Sequence, residues 1–165
     1  MNLLVLSDSH GRADSVREAI LRQRGLDAIL FLGDGLRDLP DDAPCPIYAV
    51  RGNCDTFTLF DLTPAPEERL ECVGGRRILL LHGHTRAVKG GLVRAIAAGI
   101  EADADIVCFG HTHEPTEYRI EAGEVLFGKA LARPLLLFNP GALRDGSFGT
   151  LTLRPEGILP AHGQI

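Results

Sequence analysis

The 165-residue sequence lacks closely spaced cysteine pairs, long apolar runs and an excess of positive charge. No Cys-x-x-Cys motif joins its four cysteines, Cys45, Cys54, Cys72 and Cys108. No apolar stretch approaches the roughly 18 residues that a membrane-spanning helix needs. The N-terminus has no basic region before its short apolar run, so no secretory signal is expected. We therefore expect a cytoplasmic protein that keeps its thiols reduced.

The charge balance is acidic, with 22 Asp and Glu residues against 17 Lys and Arg and a formal net charge of -5. This balance argues against a long nucleic-acid partner, which is held mainly by neutralising phosphates. It does not exclude a small phosphate ester, because a metal site can reverse the local charge. With 45% hydrophobic and 24% charged residues, and with no linker or repeat, residues 1–165 are expected to form a single soluble domain.

Short apolar runs recur along the first two thirds of the chain, and each ends in small or polar residues. Continuous runs of four or five apolar residues are typical of strands that are buried on both faces, in a sheet covered by helices. The predicted strands of this kind are Leu3–Leu6, Ala28–Leu32, Ile47–Val50, Ile78–Leu81 and Ile106–Phe109.

Helical periodicity lies between some of these runs, over residues 12–24 and, weakened by two glycines, over residues 87–98. After residue 114 the pattern changes to strand-like segments separated by turns, which we interpret as an antiparallel back half. The sequence therefore predicts an α/β fold, a four-layer α/β/β/α sandwich of two mixed β-sheets flanked by helices.

Three strand-like runs end in pairs of polar residues spaced two apart, and two further runs end in a carboxylate or an amide. Ligands of open α/β sheets bind beyond the carboxyl ends of the strands, which is where these residues fall. A turn or a helix cap explains any one of these endings, whereas their recurrence favours a divalent metal such as Mn, Fe, Co, Ni or Zn. The residues are Asp8 and His10, His82 and His84, His111 and His113, then Asp34 and Asn53.

The motifs Asp8-Ser9-His10, Gly33-Asp34, Gly52-Asn53-Cys54-Asp55, His82-Gly83-His84 and Gly110-His111-Thr112-His113 occur in this order. In this the sequence resembles the calcineurin-like metallophosphoesterase superfamily, and most of all its small single-domain phosphodiesterases, which also share Asn139-Pro140-Gly141. The resemblance implies two divalent ions, Mn preferred, with Ni, Zn, Fe or Co as alternatives. It assigns Asp8, His10, Asp34 and His113 to the first ion, and Asn53, His82 and His111 to the second, with Asp34 shared.

The resemblance also implies how such a centre would act. A hydroxide bridging the two ions would attack the phosphorus of a small phosphate ester, so that no protein nucleophile is required. His84 is a candidate for a role near the substrate, with a plain loop histidine as the alternative. Cys54 stands where the wider superfamily usually has the histidine credited with protonating the leaving group, which leaves the general acid open. Asp38 and Asp55 are expected to be hydrogen-bond partners rather than ligands.

The predicted function is hydrolysis of a small phosphate ester, with a phosphodiester preferred, and without a membrane or a long nucleic acid as partner. The sequence allows a homo-oligomer. The alternatives are a non-catalytic interaction module of the same fold, a phosphomonoesterase or nucleotidase, and a nuclease of the same superfamily. The nuclease is disfavoured by the net charge and by the lack of a capping domain.

Overall fold

The computed structural model describes residues 1–55 and 65–165, whose strands form two five-stranded sheets and a two-stranded hairpin. The strands are β1 (Asn2–Leu6), β2 (Ala28–Phe31), β3 (Ile47–Ala49), β4 (Glu68–Val73), β5 (Arg76–Leu81), β6 (Ile106–Cys108), β7 (Thr116–Ile120), β8 (Val125–Leu126), β9 (Lys129–Ala130), β10 (Leu135–Asn139), β11 (Ser147–Arg154) and β12 (Gly157–Gln164). The first sheet has the order β12-β11-β1-β2-β3, the second has the order β4-β5-β6-β10-β7, and β8 pairs with β9.

Both large sheets mix parallel and antiparallel pairs, as predicted. In the first sheet β1, β2 and β3 run parallel, while β11 joins β1 antiparallel. In the second sheet β5, β6 and β10 run parallel, while β4 and β7 form antiparallel edges. The parallel strands of both sheets are those whose apolar runs end in the polar motifs, except that β10 ends at Asn139.

Alternating side chains of the buried strands divide the core into layers. Leu3 and Val5 of β1 face the second sheet, whereas Leu4 and Leu6 face the helix α1 (Ala13–Leu21). A second helix, α2 (Val93–Glu101), covers the outer face of the second sheet. Burial on both faces accounts for the continuous apolar runs and confirms the four-layer sandwich.

The second helix begins later than predicted. A 3₁₀ turn occupies Val88–Gly90, and regular α-helix starts only at Val93. Gly91 between them has φ +130°, a backbone conformation that glycine adopts readily and other residues avoid. The expectation of one helix over residues 87–98 is therefore corrected, because this glycine interrupts the helical backbone.

The expectation of an antiparallel back half holds for every described strand pairing after residue 114 except one. Strand β10 lies inside the second sheet, parallel to β6, with all five of its residues buried. Strands β11 and β12 instead extend the first sheet. The apolar pattern also predicted no strand over Glu68–Val73, since the edge strand β4 alternates charged and apolar residues.

The loops that follow the parallel strands are tied to one another by backbone hydrogen bonds. The amide of Asp8 donates to the carbonyl of Gly33 at 2.9 Å, and that of His10 donates to the carbonyl of Asp34 at 3.0 Å. The amide of Gly110 donates to the carbonyl of His82 at 3.0 Å. These bonds hold the motif loops at one end of the sandwich. In the described ranges no helix is both long and apolar enough to cross a membrane.

Candidate metal centre

Carboxylates from the first sheet and imidazoles from both sheets converge at this end of the sandwich. His113 Nε2 lies 3.0 Å from Asp8 Oδ1, and His82 Nε2 lies 3.3 Å from Asp34 Oδ2. His10 Nε2 is 3.7 Å from Asp8 Oδ1 and 3.8 Å from Asp34 Oδ2, so it faces both carboxylates. Residues that lie more than a hundred positions apart in the chain thus present their donor atoms to a common space.

Asp8 is held so that only one of its oxygens faces this space. Its Oδ2 accepts hydrogen bonds from the Ser7 hydroxyl and, at 3.1 Å, from the His111 amide. Its Oδ1 is buried and has no hydrogen-bond partner among the described residues. The fixed Oδ2 therefore orients Oδ1 toward the ring nitrogens of His10 and His113.

Asp34 is oriented in the same way. Its Oδ1 accepts a hydrogen bond from the Cys54 amide at 2.7 Å, which leaves Oδ2 to face His82 and His10. Burial alone would raise the pKa of this carboxyl, but its contacts with the His82 ring and the Cys54 amide hold the pKa far below its usual range. Asp34 is therefore ionised although only 3% of it is exposed.

The tautomer of His82 indicates that a positive charge is needed beside its Nε2 atom. His82 Nδ1 lies 2.7 Å from the carbonyl oxygen of Leu32, which can only accept, so Nδ1 carries a proton. In the neutral ring Nε2 is then unprotonated, and its lone pair faces Asp34 Oδ2 and, at 4.0 Å, Asp8 Oδ1. A lone pair facing two anionic oxygens is repulsive unless a positive charge lies between them.

Protonation of His82 is one way to supply that charge. Burial lowers the pKa of His82, but Asp34 and Asp8 outweigh burial and leave the pKa above its ordinary value. A bound divalent cation is the other way, and the donor atoms fit it. Three buried atoms without a hydrogen-bond partner in the described chain border this space, namely Asp8 Oδ1, His10 Nε2 and His82 Nε2. Carboxylate oxygens and imidazole nitrogens are ligands of divalent transition metals.

The backbone at these positions is unusual. Eight described non-glycine residues have positive φ, and five of them are predicted ligands: Asp8, His10, Asp34, His111 and His113. Such conformations are strained for residues with a side chain and concentrate at functional sites. Two of the three pairs spaced two apart, Asp8 with His10 and His111 with His113, therefore converge through left-handed loop conformations.

The other two histidines of the motifs lie beside His82. The His111 ring centroid is 5.0 Å from that of His82, and the His84 centroid is 5.5 Å from it. Burial, followed by the charges of His82 and Lys89, lowers the pKa of His111 to about 4, so its ring is neutral at pH 7. Burial and the charge of His82 also lower the pKa of His84, whose Nδ1 is buried without a hydrogen-bond partner among the described residues.

Asn53 and Cys54 form the exposed side of the centre. The Asn53 side-chain amide donates to Cys54 Sγ at 3.3 Å. Burial, followed by a side-chain hydrogen bond with Asp34 and the charges of nearby carboxylates, raises the pKa of the Cys54 thiol. The thiol is therefore protonated at neutral pH.

Asp55 and Asp38 support the loops, as the sequence predicted. The Asp55 carboxylate accepts four backbone N–H bonds of 2.7–3.0 Å, from Asp34, Gly35, Leu36 and Gly52. It thereby joins the loop after β2 to the loop after β3. Asp38 accepts from the Ser9 hydroxyl at 2.6 Å and from the Gly11 amide at 2.8 Å. Neither carboxylate belongs to a potential metal-binding group of the described residues.

Asn139 supports the centre in a way that sequence reasoning missed. Its side-chain amide donates to the Gly110 carbonyl at 3.1 Å and to the Thr112 hydroxyl at 3.0 Å, and its Oδ1 accepts from the Gly141 amide. It thus braces the loop that carries two of the motif histidines. The Asn139-Pro140-Gly141 motif was the available signal, but it gave no indication of which loop the side chain would reach.

The fold and the converging donors define a protein of the metal-binding α/β/β/α sandwich class. Residues 1–153 match the family model of the calcineurin-like phosphoesterase superfamily domain. The chain is also 34% identical over 157 residues to the probable metallophosphoesterase YsnB of Bacillus subtilis, covering 94% of this chain and 86% of that protein. The chain therefore belongs to the calcineurin-like phosphoesterase superfamily, as its motifs indicated.

Solved structures share the fold over almost the whole chain. A predicted phosphoesterase from Streptococcus pneumoniae matches with a TM-score of 0.67 at 22% identity, covering 98% of this chain and 97% of that one. An archaeal phosphodiesterase matches with a TM-score of 0.64 at 19% identity, covering 98% and 99%. Vps29 of Entamoeba histolytica, in a complex with Zn²⁺, also matches with a TM-score of 0.64 at 19% identity, covering 99% of both chains. These likenesses concern the fold.

Proposed function

We propose that the protein is a dinuclear metal-dependent phosphodiesterase that acts on a small phosphodiester. The observation that carries the proposal is the convergence of two buried, oriented carboxylate oxygens, Asp8 Oδ1 and Asp34 Oδ2, with His10, His82 and His113. Membership of a phosphoesterase superfamily supports phosphate-ester hydrolysis. Divalent ions in this centre would neutralise charge on the phosphoryl oxygens and activate water at neutral pH.

The ligand roles follow from the orientation of each side chain. Asp8, His10, Asp34 and His113 would hold one ion, and Asn53, His82 and His111 the other, with Asp34 shared. Asp34 suits the shared role because its free oxygen, Oδ2, faces rings from two groups, those of His10 and His82. His111 suits a ligand role because a ring with a pKa of about 4 keeps its nitrogen lone pair at neutral pH.

Two residues of this chain are available to handle protons at the leaving group. The Cys54 thiol is protonated at pH 7 and can donate its proton, although its raised pKa makes it a weak acid. His84 is neutral at pH 7, since its pKa is lowered, and is better suited to hydrogen-bond a phosphate oxygen than to act as an imidazolium acid. A site without a strong general acid favours esters whose leaving group needs little protonation.

Two arginines near the motifs in the sequence are already paired with carboxylates, which favours a diester over a monoester. Arg51 pairs with Glu67 at 2.8 Å, and Arg86 makes a bidentate pair with Glu68 at 2.6 and 2.7 Å. A guanidinium already paired with a carboxylate is less available to a second phosphate charge. A diester carries one negative charge, so it needs less compensation by these cations than a monoester dianion does.

The proposal is tested by metal analysis and a panel of esters. The reconstituted protein should contain about two transition-metal ions per chain, with Mn²⁺ giving the strongest activity among Mn²⁺, Ni²⁺, Zn²⁺, Fe²⁺ and Co²⁺. It should hydrolyse an aryl phosphodiester faster than the monoester of the same aryl alcohol, and alkyl diesters slowly. Faster hydrolysis of nucleoside monophosphates than of any diester would refute the diester preference. Fewer than one ion per chain, with no hydrolysis, would favour the non-catalytic interaction module.

The location and assembly of the protein stay predictions. Cytoplasmic location would be checked by fractionating cells that express the chain at its natural level. A homo-oligomer would be detected by light scattering of the purified protein.

A further inference from the structure

We propose that Cys54 is an additional metal ligand, through which the centre binds a thiophilic divalent ion such as Co²⁺ or Zn²⁺. The inference rests on the proposed metal centre and adds a sulfur atom to its ligands. The juxtaposition that carries it is a group of three donor atoms, from His10, Asp34 and Cys54, which lie within 4.8 Å of one another. The family resemblance gives no ligand at position 54.

The backbone fixes Cys54 beside the shared carboxylate. Its amide donates to Asp34 Oδ1 at 2.7 Å, so its side chain begins next to the carboxylate whose other oxygen, Oδ2, faces the centre. The Sγ atom is an acceptor for the Asn53 side chain at 3.3 Å, and Asn53 is itself a proposed ligand. The thiol is thus close to a proposed ligand of each ion, Asn53 of one and His10 of the other.

A separate observation points to a cation in the same space. Asp8 is fully buried, and its Oδ1 has no hydrogen-bond partner among the described residues. That oxygen lies 3.7 Å from His10 Nε2, which also belongs to the group containing Cys54. A buried anionic oxygen without a hydrogen bond is unfavourable unless a positive charge lies close to it, which a bound cation would supply. His10 would be a ligand common to that cation and to the group that contains Cys54.

The chemistry of sulfur sets which ion would use this ligand. Thiolate is a soft donor and prefers Zn²⁺ and similar borderline ions over Mn²⁺ or Mg²⁺. Binding converts the thiol to a thiolate and releases its proton to solvent. A thiolate bound to an ion cannot protonate a leaving group, so a thiophilic ion would remove Cys54 from the role of proton donor.

The test is a Co²⁺ titration of the purified full chain, followed by absorption spectroscopy. A thiolate ligand gives an intense sulfur-to-cobalt charge-transfer band in the near ultraviolet, separate from the visible ligand-field bands of bound Co²⁺. We expect this band in the unmodified protein and its loss in Cys54→Ser, with the ligand-field bands retained. The matched control is Cys72→Ser, which removes another exposed thiol that belongs to no potential metal-binding group of the described residues and should keep the band.

Alkylation gives a second readout within one molecule. Zn²⁺ should protect Cys54 from a thiol-alkylating reagent, whereas Mg²⁺ should not, and Cys72 should react equally in both. Ligand-field bands without a charge-transfer band, or a band that survives in Cys54→Ser, would overturn the assignment while the metal centre stands. Absence of both kinds of band at saturating Co²⁺ would overturn the metal centre as well.

Discussion

Asp34 is the residue whose loss should affect the centre most, because its Oδ2 faces both His82 and His10. In Asp34→Asn the amide oxygen would take over the hydrogen bond from the Cys54 amide, so the side-chain NH₂ would face the ring nitrogens. The shared negative charge would be lost with little change in shape. We expect turnover to fall by more than the roughly 10–100-fold that is typical when an outer-shell partner is removed.

The matched variant is His113→Ala, which removes a ligand of one proposed ion only. Its activity should recover partly in excess metal, whereas that of Asp34→Asn should not. Metal content and initial rates at rising metal concentration measure the difference. Retention of most activity in Asp34→Asn would show that this carboxylate is not shared.

Asp55 is a second single residue on which the centre depends, because it positions the backbone of the loops that carry ligands. Its carboxylate accepts four N–H bonds, and asparagine can supply only one acceptor oxygen while its NH₂ would face amide donors. Asp55→Asn should reduce metal affinity roughly 10–100-fold and lower the free energy of unfolding by about 1–3 kcal/mol.

The control is Asp38→Asn, because the Asp38 carboxylate accepts only two hydrogen bonds, whereas that of Asp55 accepts four. Isothermal titration with Mn²⁺ and chemical denaturation of both variants give the comparison. Equal effects of the two substitutions would mean that the four-bond cluster has no special part in positioning Asp34 and Asn53.

Among the secondary-structure elements, the parallel strands fix where the motif loops begin, and the close packing of these loops brings the donor atoms together. The loops after β2 and β3 pack so closely that a Cβ on Gly52 would lie 2.0 Å from Asp34 Oδ1 and 2.7 Å from the Asp34 amide nitrogen. The Asp34 carboxylate can therefore take its observed position only because residue 52 has no side chain.

Gly52→Ala should displace Asp34 and abolish metal-dependent activity, and should also destabilise the fold because part of the clash is with backbone. Gly90→Ala is the control near the same end of the sandwich, since a Cβ there would have no neighbour within 4 Å. Its stability should stay within about 0.5 kcal/mol of the parent. Thermal unfolding and metal-dependent activity separate the two, and an active Gly52→Ala would contradict the close approach.

For the whole molecule, the metal should contribute to stability because the centre joins both sheets. An ion that binds only the folded chain stabilises it by about 2.7 kcal/mol at a hundred times its dissociation constant. In a protein of this size that corresponds to a rise in Tm of roughly 5–10 °C. Scanning calorimetry with Mn²⁺ and with a chelator measures the difference. Asp34→Asn should reduce it, and a Tm that is indifferent to metal would contradict binding at this interface between sheets.

Sequence patterns were sufficient to identify the kinds of donor atom, their order along the chain and their position after buried strands. Local patterns were enough for this, because a continuous apolar run followed by polar residues describes a buried strand and its end. The four-layer sandwich and the family followed from the same motifs. The sequence also placed Asp38 and Asp55 among the supporting residues, since they lie beside the motifs.

Only the folded structure shows which oxygen of Asp8 and Asp34 faces the centre, and which loop Asn139 supports. It also shows that β10 lies parallel to β6 inside the second sheet, and that five of the proposed ligand residues adopt left-handed backbone conformations. Each of these depends on contacts between segments far apart in the chain, such as Asp8 with the His111 amide. Local sequence patterns carry no record of such partners, because the packing of the two sheets creates them.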